Sequence, residues 1–400
     1  MRAGLLAGSE TIGSGTAEAP GLRIWIERLR LTDFRNYAEL ALELDHRPVV
    51  LTGANGAGKT NLLEAVSLLA PGRGLRGAPF GEIARGGAAG SCAVAARVNG
   101  AAGSVDLGTG YAAATGAESA GRTVRVDGAP ARSSGALGQY VRLVWLTPAM
   151  DGLFTGPASE RRRFLDRLIQ TVDQGYRSLL GRFERAMRQR NRLLETEQWA
   201  ASQFEGLEAQ MAETGVAVAA ARRAALGRLI ARIEARREAA AASAFPWATL
   251  ALTGVLEERL AHSPAVDVED AYSRMLATGR ERDRAAKRTL EGPHRSDLLV
   301  GHGPKGSAAR KCSTGEQKAL LVGLVLAHSE LVKQSHDGEA PLVLLDEIAA
   351  HLDASRRTAL FQEIGRLGVQ AWMTGTDRSV FASEALEARL LTVEDGGICP

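Results

Sequence analysis

A loop of eight residues, Gly53-Ala-Asn-Gly-Ala-Gly-Lys-Thr60, leaves this chain few ways to fold. It meets every fixed position of the phosphate-binding loop pattern, and its flanks agree. Val49-Val50-Leu51 reads as a buried strand entering the loop, and 61–69 as a helix leaving it. In such a turn Gly53, Ala54, Asn55, Gly56, Ala57 and Gly58 let backbone N–H groups close around phosphate oxygens, with Asn61 opening the helix behind them. Lys59 reaches the terminal phosphates and Thr60 offers a hydroxyl to Mg2+, so the implied ligand is a nucleoside triphosphate such as ATP.

A glycine turn before a helix can also be a plain cap. The back of the chain argues against that here, because the apolar run Leu342-Val-Leu-Leu345 ends in Asp346-Glu347. Asp346 can hold a magnesium shell and Glu347 can polarise an attacking water. Glu347 and Lys59 are therefore the candidate catalytic residues, and Thr60 and Asp346 the candidate metal ligands. An acidic strand end alone is often just an exposed terminus; its pairing with the loop decides the matter.

At 400 residues, 45% of them hydrophobic, the chain can fill two or three domain cores. A net charge of +3 permits a nucleic-acid partner without demanding one. Cys92, Cys312 and Cys399 are odd in number, far apart and without metal-ligand spacing, which indicates neither a disulfide framework nor zinc and fits a reducing cytoplasm. No apolar run approaches the ~20 residues of a membrane span, and Leu5-Leu6 is too brief for a signal-peptide core.

Residues 1–21, rich in Gly, Ala, Ser and Thr without a period, read as a disordered extension. From 22 to 157 comes the first part of an α/β core. Alternation at Ile24, Ile26, Leu29 and Leu31, then at Leu40, Leu42 and Leu44, gives two strands, which makes the loop strand third. Short strands at 92–98, 104–107 and 123–126 suggest an antiparallel sheet beside the nucleotide, and 141–146 leads back into the core.

From 158 to 290 the chain turns Ala- and Arg-rich with helical spacing, and reads as a helical insertion. Its first stretch carries Arg161, Arg162, Arg163, Arg167, Arg177, Arg182, Arg185, Arg188, Arg190 and Arg192; a second carries Arg222, Arg223, Arg228, Arg232, Arg236 and Arg237. Such charge is more often just a solvated helical face, and it is also what a phosphate-backbone track needs. Arg161, Arg162, Arg163, Arg185 and Arg188 are the DNA-binding candidates. From 291 to 400 strand and helix alternate again: a strand at 292–300, helices at 316–333 and 355–367, and a final strand near 370–374.

Ser313-Thr-Gly-Glu-Gln317, the split core and the acidic strand end resemble the head domains of ABC-type ATPases of the SMC kind, and within that class the RecF family of bacterial recombination mediators. The resemblance also rests on Asp33-Phe-Arg-Asn-Tyr37, Gly72-Arg-Gly-Leu-Arg76, Leu146-Thr-Pro148, Arg161-Arg-Arg-Phe-Leu-Asp166, Gly292-Pro-His-Arg-Ser-Asp-Leu298 and Leu352-Asp353. It implies an ABC-type, SMC-head-like P-loop core with an antiparallel β subdomain and a helical arm. It further implies an ATP-driven homodimer in which Ser313 and Gly315 of one copy face the loop of the other, with Asp353 linking the two sites. DNA at single-strand to double-strand junctions, RecR and RecO as partners, and assistance in loading RecA are its functional implications.

Departures from the family pattern are Cys312, Thr314 and Glu316 within the signature, no clear counterpart for a magnesium-loop glutamine near Val144-Trp-Leu-Thr-Pro148, and Thr374-Gly-Thr376 where a switch histidine would stand. Slow hydrolysis, used as a switch, is the expectation. Asp33, Arg35, Asn36, Arg73 and Arg76 could contact base, phosphate or DNA, or form hairpin salt bridges. A transport ATPase is disfavoured by the lack of a span, and a chromosome tether by an insertion too short for a long coiled coil.

Overall fold

The computed structural model describes residues 22–87, 90–112, 121–196, 200–239, 244–348, 352–394 and 396–399. The leader 1–21, expected to be disordered, lies outside them.

Apolar alternation lays down β1 (Trp25–Phe34) and β2 (Tyr37–Glu43), and the buried run β3 (Val49–Thr52) leads through the loop into α1 (Lys59–Ser67). Then follow β4 (Cys92–Gly100), β5 (Gly103–Ala112), β6 (Gly121–Val126) and β7 (Ala129–Pro130). Apart from β3, these strands form one antiparallel sheet in the order β2-β1-β4-β5-β6-β7. Its inward residues Leu29, Leu31, Val94, Val98 and Leu107 share one core with Leu62, Leu63 and Val66 of α1. The sheet thereby fixes the helix that carries Lys59 and Thr60.

β8 (Leu143–Leu146) re-enters the nucleotide half. Next come α2 (Ala158–Val172), α3 (Tyr176–Leu194), α4 (Ser202–Ala239), β9 (Ala248–Thr253), α5 (Val255–Arg259), α6 (Ala265–Thr278) and α7 (Arg280–Ala285). The return runs through β10 (Asp297–His302), β11 (Ser307–Ala308), α8 (Thr314–Ser335) and β12 (Leu342–Leu345). It ends with α9 (Ala354–Leu367), β13 (Ala371–Gly375), β14 (Arg389–Glu394) and β15 (Gly397–Cys399). The second sheet has the order β15-β14-β3-β13-β12-β8, parallel except for β15. Every residue of β12 and β13 is buried, as strands covered on both faces require.

Two expectations need correction. The span 158–290 is not purely helical, because β9 lies within it and pairs antiparallel with β10 from Ala248↔His302 to Thr253↔Asp297. Its sequence Ala-Thr-Leu-Ala-Leu-Thr has no β-branched run; the partner strand supplies the ladder that propensity does not announce. The strand at 371–375 is also not the last, since β14 adds to the other side of β3.

The arm's arginines divide by burial. Arg190 and Arg222 are 0% and 2% exposed, the reverse of a solvated face. Arg190 pairs with Glu208 at 3.0 Å and Asp283 at 2.7 Å, tying α3 to α4 and α7. Arg222 of α4 grips Asp166 of α2 through two bonds of 2.9 Å, while Asp166 also accepts from Tyr176 at 2.5 Å. Buried guanidiniums persist because their carboxylates are buried with them. Among the described residues no helix is long and apolar enough to cross a membrane, and Cys92, Cys312 and Cys399 are free thiols.

Candidate nucleotide site

Glycine is required at two points of the loop. A Cβ on Gly53, φ 144°, would lie 2.3 Å from the Val393 carbonyl oxygen of β14; one on Gly58, φ 115°, would lie 2.4 Å from Asn36 Nδ2. The loop is thus pressed between β14 and the turn after β1. Gly58 caps α1 without any side-chain acceptor, and no acidic residue stands in the first turn. That helix end keeps its N–H groups and dipole for an anion.

Lys59, 4% exposed, donates to the Gly53 and Ala54 carbonyls, each at 2.8 Å. Burial lowers its pKa, and the nearby Glu347 and Asp346 oppose that shift. Thr60 donates to Asp346 Oδ1 at 3.0 Å, so the chain's front and back meet in one hydrogen bond. Mg2+ takes one or two protein oxygens and completes an octahedron with water and phosphate. A hydroxyl and a carboxylate side by side, with Asp346 only 4% exposed, fit that ion.

Thr374, at the end of β13, stands where the family pattern has a histidine, and the sequence alone gives it no partner. Its hydroxyl donates to Asp346 Oδ1 and accepts from the Glu347 N–H, both at 2.8 Å. Glu347 is held at φ 55°, left-handed for a residue with a side chain. Parallel pairing of β12 with β13 makes this bridge, since the two strands end side by side. On the other flank, the Asp346 N–H donates to the Leu146 carbonyl at 2.9 Å, and buried Thr147 follows.

Most of the polar residues around the hairpin turn brace the loop. Arg35 forms a bidentate pair with Glu64 of α1 at 2.9 and 2.8 Å, and Arg76 reaches Glu64 at 2.8 Å and Asn61 at 2.7 Å. Glu64 itself is 0% exposed. Asn36 donates to the Ala57 carbonyl and accepts from Asn61, and Tyr37 donates to the Gly58 carbonyl. Asp33 pairs with Arg85 at 2.9 Å, whereas Arg73 is exposed.

The signature lies elsewhere. Ser313 caps α8 in a capping box with Glu316, whose carboxylate is pulled down to about 2 by Lys305 and by Ser313. Lys318 of α8 pairs with Asp151 just beyond β8 at 2.8 Å. β8 is three places from β3 in the sheet, roughly 14 Å at ~4.8 Å per strand. Ser313 and Gly315 are exposed, and a Cβ on Gly315 would meet nothing within 4 Å. Among the described residues no hydrogen bond or ion pair joins Ser313 or Gly315 to the loop at 53–60; the N–H and hydroxyl of Ser313 bond to Glu316. Asp353 caps α9, accepting from Arg356 N–H at 2.9 Å and Ser355 at 2.7 Å, bonds that lower its pKa.

Of the DNA-binding candidates, two are committed to the fold. Arg161 forms two 2.8 Å bonds to Asp297 and also donates to the Gly156 carbonyl; Arg162 donates to the Ser296 carbonyl. Arg163, Arg185 and Arg188 are exposed, and Arg182, Arg185, Arg188 and Arg192 share one face of α3 at three- and four-residue spacing.

A family profile described as "RecF/RecN/SMC N terminal domain" matches residues 25–396. The protein named "DNA replication and repair protein RecF" from Rhizobium etli (strain CIAT 652) is 54% identical over 376 residues, 94% of this chain and 99% of its own. The chain belongs to the RecF family. The equally named proteins of Mesorhizobium japonicum and Agrobacterium fabrum are 54% and 53% identical over 94% of this chain, covering 97% and 98% of theirs. Two solved structures, of the recombination mediator protein RecF with ATPrS and with ATP, align with TM-scores of 0.81 and 0.80 at 22% and 23% identity. They cover 95% and 96% of this chain, and 99% of each solved chain is matched. The fold is thus the ABC-type ATPase head with an antiparallel β subdomain and a helical arm.

Proposed function

We propose that the chain is an ATP-dependent DNA-binding protein of replication and recombinational repair, in which ATP joins two copies on duplex DNA and slow hydrolysis releases them. One observation carries the dimer: Ser313 and Gly315 are exposed at the start of α8, whose Lys318 is anchored beyond the far strand β8, while the uncapped α1 and Lys59 stand at β3. A second copy would supply the missing half of each pocket.

In that pocket the loop amides and the α1 N-terminus wrap the phosphates, and Lys59 exchanges the Gly53 and Ala54 carbonyls for phosphate oxygens. Thr60 and Asp346 would hold Mg2+, which neutralises phosphate charge when bound. Glu347 orients and polarises the attacking water, positioned by Thr374. The partner copy's Ser313 turn closes over the γ-phosphate, and the Asp353 turn lies between the two sites. DNA then runs along the exposed arginines Arg163, Arg185 and Arg188. The relatives' names support a role in DNA replication and repair, and the solved RecF structures are described as belonging to the RecFOR pathway, which supports RecR and RecO as partners. Preference for gapped junctions, help in loading RecA and a cytoplasmic setting complete the reading.

Gel-filtration mass with and without ATP, repeated with gapped DNA, tests it. A monomer that doubles only with ATP is expected, and Ser313→Arg should bind ATP yet stay single. Dimerisation that survives Ser313→Arg would refute the trans role.

A further inference from the structure

Where the last turns of α4 meet α8 and α9, a cleft of about 470 Å³ opens away from the nucleotide residues. One side of it is apolar: Phe245, Pro246 and Trp247 on the segment leading to β9, and Leu324 and Ala327 on α8. Trp247 remains 36% exposed there.

The mouth is cationic. Arg232, Arg236, Arg237 and Arg366 line it, facing two carboxylates, Glu330 and Glu363. Glu330, 7% exposed, anchors the group, with Arg236 at 2.7 Å, Arg232 at 3.7 Å and Arg366 also paired to it. Glu363 takes Arg236 at 2.9 Å and Arg366 at 2.8 Å. Arg237 has no ion-pair partner among the described residues and lies over the Trp247 ring at 5.6 Å from its centre. Four guanidiniums against two carboxylates leave surplus positive charge beside that apolar side.

The lining discriminates between ligand classes. A free phosphate would use the guanidiniums and leave the apolar side unfilled. A single nucleic-acid strand needs successive aromatic platforms along a basic groove, and this cleft offers one indole. An apolar side chain flanked by carboxylates satisfies both the apolar side and the mouth, in the manner of an interface anchor with a charged rim. We propose that this cleft is the docking site for a short acidic segment of a partner protein, which inserts one apolar side chain between Trp247 and α8. Its carboxylates lie on Arg232, Arg237 and Arg366. The site is independent of the nucleotide reading, because it shares no residue with the pocket proposed for ATP.

The probe is a fluorescein-labelled synthetic peptide with one phenylalanine flanked by aspartates, titrated with the full chain and read by anisotropy. Saturable binding is expected that weakens about tenfold on Trp247→Ala and on Arg237→Glu, and likewise when the peptide's aspartates become asparagines or its phenylalanine alanine. ATP binding by both variants should match the parent, which separates loss of the cleft from loss of the fold. Absence of saturation by about 1 mM would overturn the proposal, as would binding indifferent to both substitutions. A labelled mixed-sequence single strand that competes the peptide off the parent chain and loses its binding on both Arg237→Glu and Trp247→Ala would assign the cleft to nucleic acid instead. A nucleotide-free dimer abolished by Trp247→Ala would assign it to a second copy; either result overturns the acidic-segment assignment.

Discussion

Replacing Thr374 by valine keeps the shape of a fully buried side chain and removes one oxygen. Two bonds of 2.8 Å disappear, one donated to the Asp346 carboxylate and one accepted from the Glu347 N–H. A bond to a charged group contributes about 1.5–3 kcal/mol, and a buried N–H left without an acceptor costs about 1–3 kcal/mol. Taking about 1.5 kcal/mol for each gives about 3 kcal/mol. That loss bears on how Asp346 and Glu347 are held, because the left-handed backbone of Glu347 costs energy that the Thr374 bond helps offset. If it falls wholly on the transition state, single-turnover hydrolysis slows about a hundredfold. ATP affinity should change little, since the amides and Lys59 are untouched. Thr374→Ser, which keeps the hydroxyl, should recover most of the rate. Hydrolysis at the parent rate by Thr374→Val, with an unchanged melting temperature, would refute the assignment.

Glu347→Gln should bind ATP and persist as a DNA-bound dimer, followed by dissociation of labelled duplex; rapid release would contradict the gating scheme. Changing Arg163, Arg185 and Arg188 together to alanine should flatten the log–log salt dependence of DNA binding by about 2.7, at ~0.9 per phosphate contact, whereas the same slope would remove those residues from the DNA surface. Acid should destabilise the fold through its buried histidines. Burial holds His328 neutral with its pKa lowered to about 3, and His294 to about 4, against 6.5 in an ordinary setting. Between those values the unfolded chain binds more protons, so stability is present above about pH 6.5 and falls as pH drops toward about 4. For His328 the loss from pH 7 to pH 5 is about 2 kcal/mol, and His328→Gln should shrink the pH dependence of the urea midpoint.

The phosphate loop and the acidic strand end were legible in the chain because each is a local demand. Gly53 and Gly58 stand where backbone geometry excludes a side chain, and the uninterrupted apolar runs at 49–51 and 342–345 are what strands buried on both faces need. Resemblance added the family, and the matching relatives carried that to a finding. Partner-dependent features stayed hidden. Arg190 and Arg222 look like surface charge until carboxylates from other helices enclose them, and β9 has strand character only beside β10. Thr60 and Asp346 are 286 positions apart, and Thr374 joins them because parallel strands end together. The same packing ties Lys318 of α8, the helix that Ser313 caps, to Asp151 beyond β8. Sequence determines what each residue can do; which residues meet depends on the burial of distant segments against one another, and no short-range pattern encodes that.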